Sequence, residues 1–175
     1  MQRLKIVFSG PMGAGKTQAI SSLSDIPVVS TEVKNTDLQT NAKALTTVGM
    51  DYGELTLEGG MSIGLYGTPG QERFNFIWSI LSQGALGVII LIDHSASDPI
   101  ADLANYLETF AKIYDGRIVI GVSQVDKKPE LDFGIYRDWL SKNDKNLPIF
   151  PVDMRKRKDV LLLVDTIISS LELSS

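Results

Sequence analysis

Short apolar runs alternate along this chain with stretches in which apolar positions recur every three or four residues. That alternation predicts strands interleaved with helices, the pattern of βαβ units. Residues 4–8 read as a buried first strand, residues 10–17 as a glycine-rich turn, and a helix follows to about Leu23. Residues 24–46 are polar and aperiodic and predict a mobile loop. Residues 55–57 and 61–65 alternate with period two around Gly59 and Gly60, which predicts a hairpin. The unbroken apolar runs 88–92 and 118–122 predict buried parallel strands. Between them Asp98 and Pro99 supply an N-cap and a first helical residue, and Ile100, Leu103, Leu107, Phe110 and Tyr114 then share one face. A helix near 132–142, a strand near 148–152 and a helix near 157–171 complete the order. In the last helix Val160, Leu161, Leu163, Val164, Ile167, Ile168 and Leu171 form the apolar stripe. The expected architecture is α/β: six strands, mostly parallel, one antiparallel edge strand, and helices on both faces.

A length of 175 residues fits one domain with a sizeable core. The chain has no cysteine, which excludes a disulfide framework, a thiolate zinc site and a catalytic thiol. Its net charge of -4 argues against nucleic acid as a partner. No apolar stretch approaches the ~18 residues of a membrane span, and the apolar run at the start is too short for a signal peptide. Gln2 and the cysteine-free end at Ser175 exclude myristoyl and prenyl anchors. A cytoplasmic protein without integral membrane association is expected.

The chemistry is concentrated at Gly10-Pro11-Met12-Gly13-Ala14-Gly15-Lys16-Thr17, a full match to G-x-x-x-x-G-K-[ST]. Glycines are needed there so that backbone N–H groups can wrap phosphates, and the following helix N-terminus adds a positive dipole. Lys16 would reach the β- and γ-phosphates, and the Thr17 hydroxyl would ligate Mg²⁺. Strand, motif and helix in that order are the context of a P-loop NTPase.

Two further runs, Gly67-Thr68-Pro69-Gly70-Gln71-Glu72-Arg73-Phe74 and Thr47-Val48-Gly49-Met50-Asp51-Tyr52, flank the hairpin. With the P-loop they resemble the Ras-like small GTPase superfamily over nearly the whole chain. The run from Tyr66 to Asp93, with Phe76-Ile77-Trp78, is most similar to its bacterial branch, the MglA polarity GTPases and those encoded beside sensor-kinase and roadblock genes. The resemblance implies GTP and GDP as ligands with Mg²⁺. It makes Thr47 a second Mg²⁺ ligand, gives the Gly70 N–H to the γ-phosphate, and has Gln71 orient the attacking water with Lys16 as its catalytic companion. The nucleotide would lie on Gly10, Met12, Gly13, Ala14, Gly15, Lys16, Thr17 and Gln18, with Thr47 and Gly70. Its base would be read by Ser123, Gln124, Asp126, Asp153, Met154 and Arg155. Contacts that need the γ-phosphate release both loops on hydrolysis.

The chain departs from that pattern in several places. Gly67 stands where the superfamily has an aspartate holding a Mg²⁺-bound water, which should weaken or reshape the metal site. Met12 replaces a common glycine and crowds the γ-phosphate. No arginine lies between Arg3 and Arg73, so an arginine finger comes from Arg73 or a partner, and Arg73 reads equally as a solvated helix charge. Ser123-Gln124-Val125-Asp126 replaces Asn-Lys-x-Asp. Asp126 keeps the carboxylate for guanine N1 and N2, or is a plain turn residue. Asp153-Met154-Arg155 replaces Ser-Ala-Lys, with the Met154 N–H in reach of guanine O6.

On a helix starting near Phe74, Phe74, Ile77, Trp78 and Leu81 share a core face. Phe76 and Ile80 fall opposite, either as a nucleotide-dependent partner surface or packed under a neighbour. The basic run 155–158 reads as a solvated turn, and His94 as a structural or loop residue. The leading expectation is a slow GTPase stimulated by a roadblock-type GAP or effector, a monomer or nucleotide-dependent oligomer that relays a polarity, motility or sensor-kinase signal. The alternative is a catalytically weak pseudo-GTPase that serves as a nucleotide-binding scaffold. A nucleotide kinase, lacking an arginine-rich lid, ranks last.

Overall fold

The computed structural model describes residues 3–34, 47–71 and 75–173, with the backbone alone at 31–34 and 47–48. Its elements are β1 (Leu4–Ser9), α1 (Lys16–Leu23), β2 (Val29–Lys34), β3 (Thr47–Thr56), β4 (Ser62–Gly67) and α2 (Asn75–Ser82). Then come β5 (Gly87–Asp93), α3 (Pro99–Ile113), β6 (Arg117–Ser123), a short 3-10 turn (Val125–Lys127), α4 (Gly134–Lys142), β7 (Ile149–Pro151) and α5 (Arg157–Glu172).

The strands form one seven-stranded sheet in the order β2-β3-β4-β1-β5-β6-β7. From β4 to β7 all neighbours are parallel, whereas β3 runs antiparallel to both β4 and β2. The α/β expectation therefore holds with one strand more than the six foreseen. The addition, β2, comes from the stretch read as a loop; residues 35–46 of that stretch lie outside the described residues. Its sequence VSTEVK is too polar to announce a strand by hydrophobicity, yet it places β-branched residues at alternate positions and completes a ladder along β3. At the other margin, β7 is three residues long and ends at Pro151.

Alternate residues of the central strands feed two cores. Ile6, Phe8, Ile89 and Leu91 pack under α1 and α5, while Val7, Val88, Ile90 and Ile92 pack under α2, α3 and α4. Helix α3 begins at its cap, with Asp98 Oδ1 accepting from the Ala101 N–H at 3.0 Å. Its face buries Leu103, Leu107 and Phe110 as read, and also Tyr106. On α2, Ile77 and Trp78 are buried while Phe76 and Ile80 stay 50% and 62% exposed. Phe74 and Arg73 lie outside the described residues. The hairpin turns on Gly59 and Gly60, both left-handed, and closes with Leu57 N–H donating to Met61 O at 2.8 Å.

The helices after β1 and β5 lie on opposite faces of the sheet, so a crevice opens beyond the carboxyl ends of these two neighbours. Open α/β sheets bind ligands at such a switch point.

Candidate nucleotide-binding site

The loop between β1 and α1 owes its shape to backbone conformations that side chains disfavour. Gly10, Gly13 and Gly15 have φ of 146°, 80° and 99°. A β-carbon on Gly10 would lie 2.2 Å from the Leu91 carbonyl oxygen, and one on Gly15 would lie 2.9 Å from Met154 Cγ. The loop thus nests against β5 and the loop after β7. Ala14 is buried, and its N–H donates to Pro11 O at 3.2 Å. Lys16 Nζ donates to Gly10 O at 2.5 Å and Pro11 O at 2.8 Å. Burial lowers its pKa to about 8, opposed by the negative charge of Asp51. A buried ammonium ringed by carbonyls is a strong point charge held ready for an anion.

The next residue links the loop to β3. Thr17 Oγ1 donates to Asp51 Oδ2, and Ser30 Oγ donates to Asp51 Oδ1 at 2.8 Å. Asp51 is paired across the ladder with Gly67, the position where the sequence comparison had noted a missing acid. A β-carbon at Gly67 would sit 3.0 Å from Ile20 Cδ1 and 3.3 Å from Asp51 Cβ, tighter than ordinary contact. One carboxylate fits between the two strands here, and it is carried by β3. In the run 47–52 nothing local marks Asp51 for this role. The signal was present in the hairpin: counting four residues outward along each arm from the Leu55–Ile63 pair reaches Asp51 and Gly67. Thr47 opens β3 opposite Lys34; its side chain lies outside the described residues.

After β4 the chain returns to the phosphate loop. A β-carbon on Gly70 would fall 2.6 Å from Met12 N, and Gln71 Nε2 approaches Met12 Sδ at 3.6 Å. Met12 is 70% exposed and takes no part in the core.

Beyond the loop lies a cavity of about 1060 Å³, lined by Ala14, Gly15 and Gln18 on one side and by the segments after β6 and β7 on the other. Gln124, left-handed at φ 60°, turns the chain so that Asp126 lines the cavity. Ser123 is buried, and its hydroxyl donates to Ala14 O at 3.1 Å and Ile92 O at 3.3 Å. It therefore ties β6 to the phosphate loop, with its hydroxyl already engaged. Arg155 donates from Nε and Nη2 to both oxygens of Asp153 at 2.8 Å, which holds the Asp153 carboxyl well below the usual carboxylate range. Met154 is buried beneath Gly15, and its carbonyl accepts from Ser22 Oγ at 2.5 Å. Gly15, Gln18, Ser123, Gln124, Asp126, Asp153, Met154 and Arg155 thus line one cavity beside Lys16 and Thr17, whereas Thr47 lies four residues along β3 from Asp51, and Phe76 and Ile80 are exposed on α2. His94 is structural: Nε2–H donates to Leu131 O at 3.0 Å, and Nδ1 accepts from Tyr136 OH at 2.8 Å.

Left-handed glycines between a first strand and a helix, a lysine folded into their loop and a cavity beside it define a P-loop NTPase fold. The chain belongs to the family described as conserved hypothetical ATP binding protein, whose model matches residues 27–138. It is also similar, at low identity, to Ras-related proteins. Rab-18 of Lymnaea stagnalis is 28% identical over 130 residues, covering 71% of this chain and 58% of that protein. Rab-12 of Homo sapiens is 30% identical over 114 residues, covering 63% and 41%. Uncharacterized protein MJ1339 of Methanocaldococcus jannaschii is 30% identical over 92 residues, covering 53% and 52%. The chain spans about half the length of these relatives. Among the described residues, no helix is long and apolar enough to cross a membrane.

Proposed function

We propose that this protein is a guanine-nucleotide switch that binds GTP with Mg²⁺ and hydrolyses it slowly to GDP. The observation that carries this reading is the convergence of two segments on one phosphate loop that folds Lys16 into itself: Asp51 of β3 on Thr17, and Gly70–Gln71 against Met12. A γ-phosphate placed there meets the ammonium of Lys16 and the N–H of Gly70 together, so its loss removes one set of contacts from the loop after β4. Water attacks in line from the side of Gln71, whose amide must leave the Met12 sulfur to orient it.

The donors fit Mg²⁺. Thr17 offers a hydroxyl and Asp51 a carboxylate, both hard oxygens, and this ion takes one or two protein ligands with phosphate and water completing its shell. Thr17 and Asp51 would hold the ion, which would offset the negative charge of a bound polyphosphate. Asp51 then performs from β3 the task that an acid at position 67 would perform from β4, which supports a working metal site despite Gly67.

The family's description names ATP, but the cavity favours guanine. Asp126 brings a carboxylate, which accepts from the N1–H and N2–H₂ of guanine and repels the N1 lone pair of adenine. By resemblance to the bacterial polarity GTPases, the stimulating partner is a roadblock-domain protein acting in a polarity, motility or sensor-kinase pathway in the cytoplasm. Without an arginine finger, turnover is on the order of 10⁻⁴ s⁻¹. The contact of Gln71 with Met12 favours one second reading, a scaffold that holds GTP without hydrolysing it.

Calorimetry with GDP, GTPγS, ADP and ATPγS, with and without Mg²⁺, tests the proposal. Guanine nucleotides are expected to bind at least about tenfold tighter, and Asp51→Ala to lose most of the Mg²⁺ dependence. Preference for adenine, or no binding at all, refutes it. Bound GTP that a stimulating partner leaves unhydrolysed selects the scaffold.

A further inference from the structure

The loop that follows β4 is gripped from behind by two aromatic donors. Trp78 Nε1 donates to Pro69 O at 2.9 Å, in the buried interior. Tyr106 OH donates to the next carbonyl, Gly70 O, at 3.2 Å. Neither ring is free to turn. Trp78 stacks on Tyr106 at 4.9 Å with 23° between planes and on Phe110 at 5.7 Å with 1°, and all three are buried. Two successive carbonyls of the loop are therefore pinned to the α2–α3 layer.

The carbonyl of Pro69 and the N–H of Gly70 belong to one planar trans peptide, so they point in opposite directions. With the carbonyl fixed on Trp78, the N–H is turned away from α2. Gly70 lies directly against the phosphate loop, where an added β-carbon would fall 2.6 Å from Met12 N and 2.9 Å from Met12 Cγ. We infer that Trp78 and Tyr106 are positioning residues, which hold the Gly70 N–H toward the terminal phosphate of a bound nucleoside triphosphate. The inference rests on the nucleotide-switch reading above and adds to it what orders the sensing loop. Part of the entropic cost of arranging that loop is met before the ligand arrives, so the competent conformer is well populated in the empty protein. A diphosphate does not reach Gly70 and gains nothing from this order.

Two variants of the full chain test it. Trp78→Phe keeps an aromatic ring and removes the donor, and Tyr106→Phe removes one hydroxyl and keeps the stack. Dissociation constants for GDP and for GTPγS with Mg²⁺ are measured on both. Each variant is expected to weaken GTPγS about three- to tenfold, the worth of one hydrogen bond, and to change GDP by less than about twofold. A role confined to stability moves both ligands together or neither, and either result overturns the inference. If Trp78→Phe does not fold, Tyr106→Phe decides alone. A wild-type protein that binds neither ligand brings down the switch reading first, and this inference with it.

Discussion

Lys16 shows how one side chain can be at once satisfied and unsettled. Its ammonium bonds to two carbonyls of its own loop, yet burial brings its pKa down from 10.5 to about 8. The unfolded chain then holds this proton more tightly than the folded one, so this group makes the empty protein more stable as pH rises from about 8 toward 10.5. Ligand affinity has the opposite sign, because a polyphosphate raises the pKa again. Binding is expected to be independent of pH well below 8, and above it to take up protons and weaken toward tenfold per pH unit. Calorimetry at pH 8.5 in two buffers of different ionisation enthalpy reads that uptake directly; an identical heat in both contradicts it. Lys16 and the glycines around it were legible in the sequence because their chemistry lies in consecutive residues. Asp51 was not, since its role depends on which residue of β4 it faces, and neither was the tie that the Ser123 hydroxyl makes between strand and loop, which joins residues far apart in the chain.

Elements were legible to the degree that they bury apolar faces. The runs of β1, β5 and β6 and the stripes of α3 and α5 lie close to where periodicity put them, because the core imposes that periodicity. β2 escaped because an edge strand is stabilised by its neighbour's ladder, which leaves little trace in composition. The basic run 155–158 likewise does more than sit in solvent. Arg157 Nη1 donates to Leu23 O at 2.6 Å and Ser22 O at 3.3 Å, at the carboxyl end of α1, and Nη2 reaches Asp25 at 3.4 Å. The start of α5 thereby caps α1 from outside. Its side chain is half exposed, so Arg157→Ala is expected to cost only about 1 kcal/mol in urea denaturation, with GDP affinity retained. A loss of nucleotide binding without loss of stability would instead place Arg157 in the site.

At the scale of the molecule, the helices can lie on both faces only because the sheet is thin where they cross it. Gly87 opens β5 beneath α5, and a β-carbon there would come within 2.6–2.9 Å of three carbons of Ile167. Gly87→Ala must push the helix off the sheet, and a cost of about 1–3 kcal/mol with an unchanged urea m-value is expected. An unaltered midpoint would mean that α5 yields freely and that the layer is looser than its packing implies.

The two margins of the sheet differ in what they offer a further strand. Along β7 the hydrogen bonds Ile120 N–H to Pro148 O and Val152 N–H to Val122 O turn Ile149 and Pro151 outward, and an imino acid has no hydrogen to give. A strand added to that border would find one donor missing from its ladder. β2, by contrast, has no proline between Val29 and Lys34, so its backbone carries every N–H that an added strand would require.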